Sequence, residues 1–381
     1  MLPPRPFCVP FRPYPAFPMK RFAAYDPPEY LEWRADPDTM AAFRARIDAD
    51  AGRAAAIRAL DEAALLAMYA GLLRNRLHDV ALKRWVKSGV ISKAWLGVGE
   101  EAATIGPVHA LRRSGPMHDV VAPMIRNNGA CHEMGMPLAD IFRTYLGTAD
   151  SPSRGHDLHV GDLARGVLTP VSLVGDVVPV IAGIALSFKQ RGEDRVGLTW
   201  TGDGSTKTAA FHEGINFAAV NRLPAIFIIQ NNQIALGTRV GVHAAGSFHD
   251  WPAMYGVAGG AFDGNHVLDA YAATRLAADR ARAGEGVTLL VAETFRMGGH
   301  ATHDEREARS LFPGEQFAEW GRRDPVGMYE TWLLEEGIAA DRLEAIEAEI
   351  GAEIEAATEA AIQSRESSMP VGSAASEGVW G

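Results

Sequence analysis

The sequence predicts an α/β fold, a mainly parallel sheet flanked by helices, in a chain of 381 residues. Two observations carry that prediction. In the first, an apolar run at 196–201 enters Gly202-Asp203-Gly204, and Phe211, Ile215 and Ala219 then recur at intervals of four. A β-branched run at 225–229 follows and empties into Gln230-Asn231-Asn232. Strand, crossover helix and second strand form the compact unit of a parallel sheet. In the second, the alternation recurs downstream: a turn at 263–265, a helix to Gly284, and a strand at 287–294 that ends in a polar loop. Polar residues thus gather just past the carboxyl ends of strands, where such sheets bind ligands.

Taken in order, residues 1–55 predict an extended Pro-rich N-terminal arm and lead-in, because proline at the density of 1–22 joins neither helix nor sheet interior. Residues 56–365 predict one α/β domain with C-terminal helices, and 366–381 a flexible tail. Within the domain, Asp61 caps a helix whose apolar stripe is Leu65, Tyr69, Leu72, Leu73, Leu77 and Val80. A loop at 92–102 opens a second helix, an apolar run at 119–129 carries Arg126 near its end, and one helix at 131–147 closes on Gly147. Residues 148–176 read as a long functional loop. A small-residue helix at 179–190 precedes the central unit, whose helix opens near Ser205. From Pro325 the chain is helical, with Leu343, Ile346, Ile350 and Ile354 as a stripe.

Bulk properties set limits. The formal net charge is −10 and no Lys/Arg block offsets it, which excludes nucleic acid as a partner. Cys8 and Cys131 are far apart, so no disulfide framework is expected and a cytoplasmic, reducing compartment fits. The most apolar stretch, 167–188, is broken by Pro170, Asp176 and Pro179, so no membrane span is expected, and the N-terminus lacks a signal pattern.

The chemistry concentrates at the strand ends. Asp203 offers a carboxylate, Asn232 a neutral amide oxygen, and the chain near Ile234 a carbonyl: hard oxygen ligands of the kind Mg²⁺ takes beside phosphate. Gly204 and Ser205 lie where backbone N–H groups would meet that phosphate. Arg126, ending a strand-like run, suits either a guanidinium forking onto a phosphate or an ordinary salt-bridged surface arginine. Gly-Asp-Gly-Ser-Thr-Lys lacks the glycine that a phosphate loop needs directly before Lys207, and the dinucleotide fingerprint lacks its third glycine. His300, His303 and Asp304 form a second cluster. It suits an acid/base histidine, or, together with Asp203 and in a different class of function, the site of a metal-dependent phosphohydrolase.

Gly202-Asp203-Gly204 followed by Asn231-Asn232 resembles the thiamine diphosphate motif of transketolase-like enzymes. Across residues 60–335 the chain is similar to the alpha subunit of the first, decarboxylating component of 2-oxo acid dehydrogenase complexes. Gly99-Glu100-Glu101-Ala102, Arg126, the His159 loop, residues 213–220 and Phe295-Arg296-Met297-Gly298-Gly299-His300 carry the likeness. The resemblance implies a thiamine diphosphate-binding fold in which Asp203, Asn232 and the Ile234 carbonyl ligate Mg²⁺. It implies that Arg126 and His300 contact the diphosphate, with His300 as the active-site histidine, and that Gly204 and Ser205 line it. Ser172 and Val174 would meet the cofactor's two rings, and Gln230 would add a contact.

The implied activity is oxidative decarboxylation of pyruvate or a branched-chain 2-oxo acid, with acyl transfer to the lipoyl group of an acyltransferase component. The implied assembly is a heterotetramer of two alpha and two beta subunits, the beta subunit supplying the glutamate that activates the cofactor. A non-catalytic subunit retaining the fold is the further alternative. The sequence departs from the family at Glu100, where glutamine is usual, and at Ile125, usually tyrosine. It also has Ala301 in place of a serine, and a shortened 300–312 loop with Ala308 before Arg309.

Overall fold

The computed structural model describes residues 19–377, so the proline-dense stretch 1–18 lies outside the described residues. Five strands form one wholly parallel sheet: β1 (Val120–Ala122), β2 (Gly197–Gly202), β3 (Ala225–Asn231), β6 (Ala258–Asp263) and β7 (Thr288–Glu293), in the order β1-β2-β3-β7-β6. A short antiparallel hairpin, β4 (Ile234–Ala235) with β5 (Thr238–Arg239), leaves the end of β3. The register aligns Gly202 with Gln230 and Asn231 with Glu293, so the polar termini of β2, β3 and β7 share one edge.

Both faces of the sheet are covered, as near-continuous apolar strands require. Leu198, Trp200, Ile226 and Ile228 pack toward one core cluster, Phe227, Ile229, Leu289 and Val291 toward the other. Trp200 is fully buried, and its indole Nε1–H donates to the Ala103 carbonyl at 2.8 Å, which removes the penalty of burying a lone donor. Among the described residues no helix is long and apolar enough to cross a membrane.

Several elements differ from the sequence expectation, each for a local reason. The lead-in is helical rather than extended, with helices Pro28–Leu31, Pro37–Asp48 and Ala51–Arg58. Asp36 caps Thr39 N with Pro37 in the first turn, and Met40 and Phe43 are buried, Phe43 stacking on His266 at 3.5 Å. The helix expected at 131–147 is two, Asn128–Glu133 and Leu138–Leu146, because Gly135 takes φ 89° and Pro137 has no N–H to continue the ladder. After Gly202 a 3-10 turn, Asp203–Lys207, intervenes, and the α-helix starts at Ala209, where Thr208 caps Phe211 N. Ser205 therefore lies in a tight turn and not at an α-helix N-terminus. Strand β6, Ala-Gly-Gly-Ala-Phe-Asp, was not foreseen, since its glycines weaken any strand pattern. The helix Ala340–Ser367 and a turn at Gly372–Ser376 occupy part of the expected tail.

One buried ionic group joins these layers. Arg76, on the helix Glu62–Lys87, lies between Glu101 and Asp324, bonding Asp324 at 2.8 Å, and Arg21 of the lead-in meets the same Asp324 at 2.7 Å. Arg76, Glu101 and Asp324 are all at most 1% exposed. Replacing Arg76 by methionine leaves two buried carboxylates without their shared cation, and is expected to destabilise the chain by about 3–5 kcal/mol. The urea midpoint of Arg76→Met against wild type checks this; a change within error would show that Arg21 alone neutralises the group.

Candidate functional site

Asp203 and Asn232 come together where β2 and β3 end side by side. Asp203 is 1% exposed and Asn232 4%. Burial pushes the Asp203 carboxyl above its ordinary value; His243, whose Nε2 lies 3.1 Å from Asp203 Oδ2, and the Gly204 N–H oppose this, and nearby Glu100 adds to it. Gly204 is required by close approach: a Cβ there would lie 2.5 Å from that of Ala235. Ala235 belongs to the β4–β5 hairpin, which carries Ile234, 3% exposed, between Gln233 at φ 73° and Leu236 at φ 53°. Two non-glycine residues in the left-handed region around one buried carbonyl-bearing turn mark a strained segment, of the kind functional sites hold. Arg296 fixes it, donating from Nη2 to the Leu236 carbonyl at 2.8 Å and from Nε to Gly298 at 3.1 Å.

Facing this edge is the pair Arg126–His300. Arg126 Nη2 lies 3.2 Å from His300 Nδ1 and 3.3 Å from its carbonyl, while Nη1 donates to Leu96 O at 3.1 Å. A guanidinium can only donate, so His300 Nδ1 accepts and the ring proton sits on Nε2. Burial first, then the charges of Arg126 and Arg296, bring the His300 pKa down to about 4. At neutral pH His300 is thus a neutral imidazole offering one N–H. Burial likewise lowers Arg296 to about 10.

The second cluster does not assemble as a ligand set. Asp304 accepts from the backbone N–H of His300 at 3.1 Å and of Ala301 at 2.8 Å, and so shapes the loop, while His303 is exposed. Among the described residues no group of three His, Cys, Asp or Glu side chains could hold a metal ion. The loop is also tied from outside: Thr302 N donates to Ala94 O at 2.9 Å, Lys83 reaches Glu305 at 2.6 Å, and Arg309 pairs with Glu29 of the lead-in. Residues Glu305–Ser310 form a helix.

Ser172 and Val174 lie apart from the buried cluster, on an exposed segment where Val174 is 58% and Leu173 70% exposed. Ser172 Oγ meets His159 Nε2 at 3.3 Å, and His159 Nδ1 meets Asp157 at 2.9 Å. The segment runs along the turn that follows Asp203, since a Cβ on Gly175 would lie 2.1 Å from Thr208 Oγ1. Lys207 sits over the rings of Phe248 and Trp251, at 5.2 and 5.0 Å.

Sequence reasoning missed three residues here. Glu100, 1% exposed, accepts from Gln230 Nε2 at 2.6 Å and Asn232 Nδ2 at 2.9 Å. His243 covers Asp203, and Arg296 clamps the hairpin. Two signals stood in the sequence, the position of Arg296 just past a strand end and Glu100 where glutamine is usual.

The depressed His300 pKa carries a sign. A histidine held neutral in the fold contributes stability that is present above about pH 6.5 and is lost as pH falls toward about 4. In Arg126→Met the like charge is removed, so the His300 C2–H resonance should titrate at higher pH than in wild type. An unchanged NMR titration would assign the whole shift to burial.

The family model described as dehydrogenase E1 component matches residues 71–369. The chain is 33% identical to the 2-oxoisovalerate dehydrogenase subunit alpha of Bacillus subtilis (strain 168) over 282 residues, 73% of this chain and 84% of that one. It is 33% identical to the 3-methyl-2-oxobutanoate dehydrogenase subunit alpha of Mycobacterium tuberculosis over 291 residues, 75% of each. It is 35% identical to the pyruvate dehydrogenase E1 component subunit alpha of Staphylococcus aureus (strain Mu50) over 243 residues, 63% of this chain and 62% of that one. With the strand-end acid–amide pair facing Arg126 and His300 inside the matched region, the chain belongs to the dehydrogenase E1 component family.

Proposed function

We propose that this chain is the alpha subunit of a 2-oxo acid dehydrogenase, working with thiamine diphosphate and Mg²⁺ on pyruvate or a branched-chain 2-oxo acid. The observation that carries it is the buried edge where Asp203 and Asn232 stand side by side, opposite Arg126 and His300. The residues present fit the group. Asp203, Asn232 Oδ1 and the Ile234 carbonyl form the hard-oxygen donor set that Mg²⁺ prefers. Arg126, His300 Nε2–H and the backbone at Gly204 and Ser205 are the donors for a diphosphate. Ser172 and Val174, on the exposed segment beside that turn, would meet the cofactor's rings. When bound, thiamine diphosphate supplies the carbon nucleophile and electron sink for loss of carbon dioxide.

The chain's own contribution is to bind, orient and exclude water. A neutral His300 presents an N–H without adding positive charge, while Arg126 and Arg296 provide fixed charge in a buried setting where it acts strongly. Exposed Leu163, Val171, Leu173 and Val174 support a site completed by a beta subunit, in a heterotetramer of two alpha and two beta subunits. The acyl group would pass to the lipoyl arm of an acyltransferase component. A cytoplasmic setting accords with the scarcity of cysteine, and the described lead-in packs into the core of the α/β domain through Met40 and Phe43.

Thiamine diphosphate with Mg²⁺ should raise the melting temperature of the full chain, and Asp203→Ala should abolish the rise. Stabilisation by ATP instead would overturn the reading. Co-expressed with its beta subunit, the chain should decarboxylate one class of 2-oxo acid in a substrate panel and show no turnover alone.

A further inference from the structure

Glu100 is the buried carboxylate of the site that no cofactor contact explains. It is 1% exposed, and one oxygen, Oε1, accepts two amide N–H groups: Gln230 Nε2 at 2.6 Å and Asn232 Nδ2 at 2.9 Å. The other, Oε2, is buried without a hydrogen-bond partner among the described residues and lies 3.7 Å from Arg126 Nη1. Glu100 is itself held by its neighbour, because Glu101 Oε2 accepts from Gly99 N at 2.8 Å while its Oε1 meets Arg76.

An asparagine amide has two ends of nearly equal shape, and only the oxygen can ligate a cation. What decides which end faces the ligand is the partner of the other end. The amides here form a directed chain. Met124 N donates to Asn127 Oδ1 at 3.3 Å, Asn127 Nδ2 donates to Gln230 Oε1 at 3.0 Å, and Gln230 Nε2 donates to Glu100. Asn232 Nδ2 ends on the same carboxylate, which leaves Asn232 Oδ1 turned away from it, 3.4 Å from Ile234 N. A carboxylate accepts and does not donate, so Glu100 terminates the chain in one sense only.

We infer that Glu100 is a positioning residue: it locks the Asn232 amide with its oxygen toward the cation, and through Oε2 it holds the Arg126 guanidinium on the same side. The inference rests on the thiamine diphosphate and Mg²⁺ reading above. Glu100 itself touches neither cation nor substrate.

The test is Mg²⁺ affinity of the full chain at saturating thiamine diphosphate, followed by calorimetry or intrinsic tryptophan fluorescence. Partners that orient a metal ligand are worth about 10–100-fold in affinity, and Glu100→Ala should lose about tenfold or more. Glu100→Gln keeps a carbonyl for both N–H groups and should stay within about threefold of wild type. Asn232→Asp places two carboxylates face to face and should bind Mg²⁺ poorly. Adding Glu100→Gln to Asn232→Asp lets an amide N–H meet the new carboxylate and should recover much of the loss. Glu100→Ala binding as wild type does, or a double variant no better than Asn232→Asp, overturns the role of Glu100. Failure of wild type itself to bind thiamine diphosphate with Mg²⁺ overturns instead the reading beneath it.

Discussion

The contact on which the site depends lies behind it, between Arg76 and Glu101. Burying this pair removes two charges from water, and their attraction offsets that loss only with further bonds. Those bonds are what organise the structure: Arg76 also holds Asp324, which caps the helix Pro325–Glu335, and Asp324 holds Arg21 of the lead-in. On the other side, Glu101 takes the Gly99 N–H and so sets the bend that turns Glu100 into the sheet edge. A buried ion pair is a poor source of stability but a good source of register. Here it registers the lead-in, the first long helix, the C-terminal helices and the strand-end site against one another.

The site adds a second charge pattern to the first. Asp203 and Glu100 face Arg126 and Arg296, with His243 and His300 at the margins, all within a water-poor edge. Burial first, and then the charge of the two arginines, keeps His300 neutral, while Glu100 lies 3.7 Å from Arg126 and the Leu236 and Gly298 carbonyls hold Arg296. Each group's state follows from burial first and from its neighbours second. The amides of Asn127, Gln230 and Asn232 run through the middle of this pattern without charge of their own, and the Glu100 carboxylate on which they end sets their direction.

The parallel sheet was legible because β2, β3 and β7 are short apolar runs ending in polar clusters, a pattern fixed by burial on both faces. Asp203, Asn232 and Ile234 were legible because strand ends one crossover apart become neighbours in such a sheet. Arg126 and His300 stand in the loops that leave β1 and β7, four and seven residues past the strand ends. Other features depend on contacts that sequence order hides. Glu100 and Glu101 look like the solvated start of a helix, and only tertiary packing makes them fully buried. Strand β6 has too little side chain to announce itself. The lead-in read as extended because proline is dense in 1–22, while the Asp36-Pro37 cap that starts its helix lies further on. Ser172 and Val174, expected at a cofactor, stand exposed, since nothing among the described residues covers their segment.

The loop bearing His300 is stitched to the lead-in and to the first long helix by Glu29–Arg309, Lys83–Glu305 and Thr302–Ala94. Its conformational entropy is therefore surrendered when the chain folds and not when a ligand arrives. A ligand meeting such a preorganised wall keeps more of its interaction energy as affinity. Its departure, by the same reasoning, does not require the wall to melt, so ligand exchange is decoupled from loop unfolding.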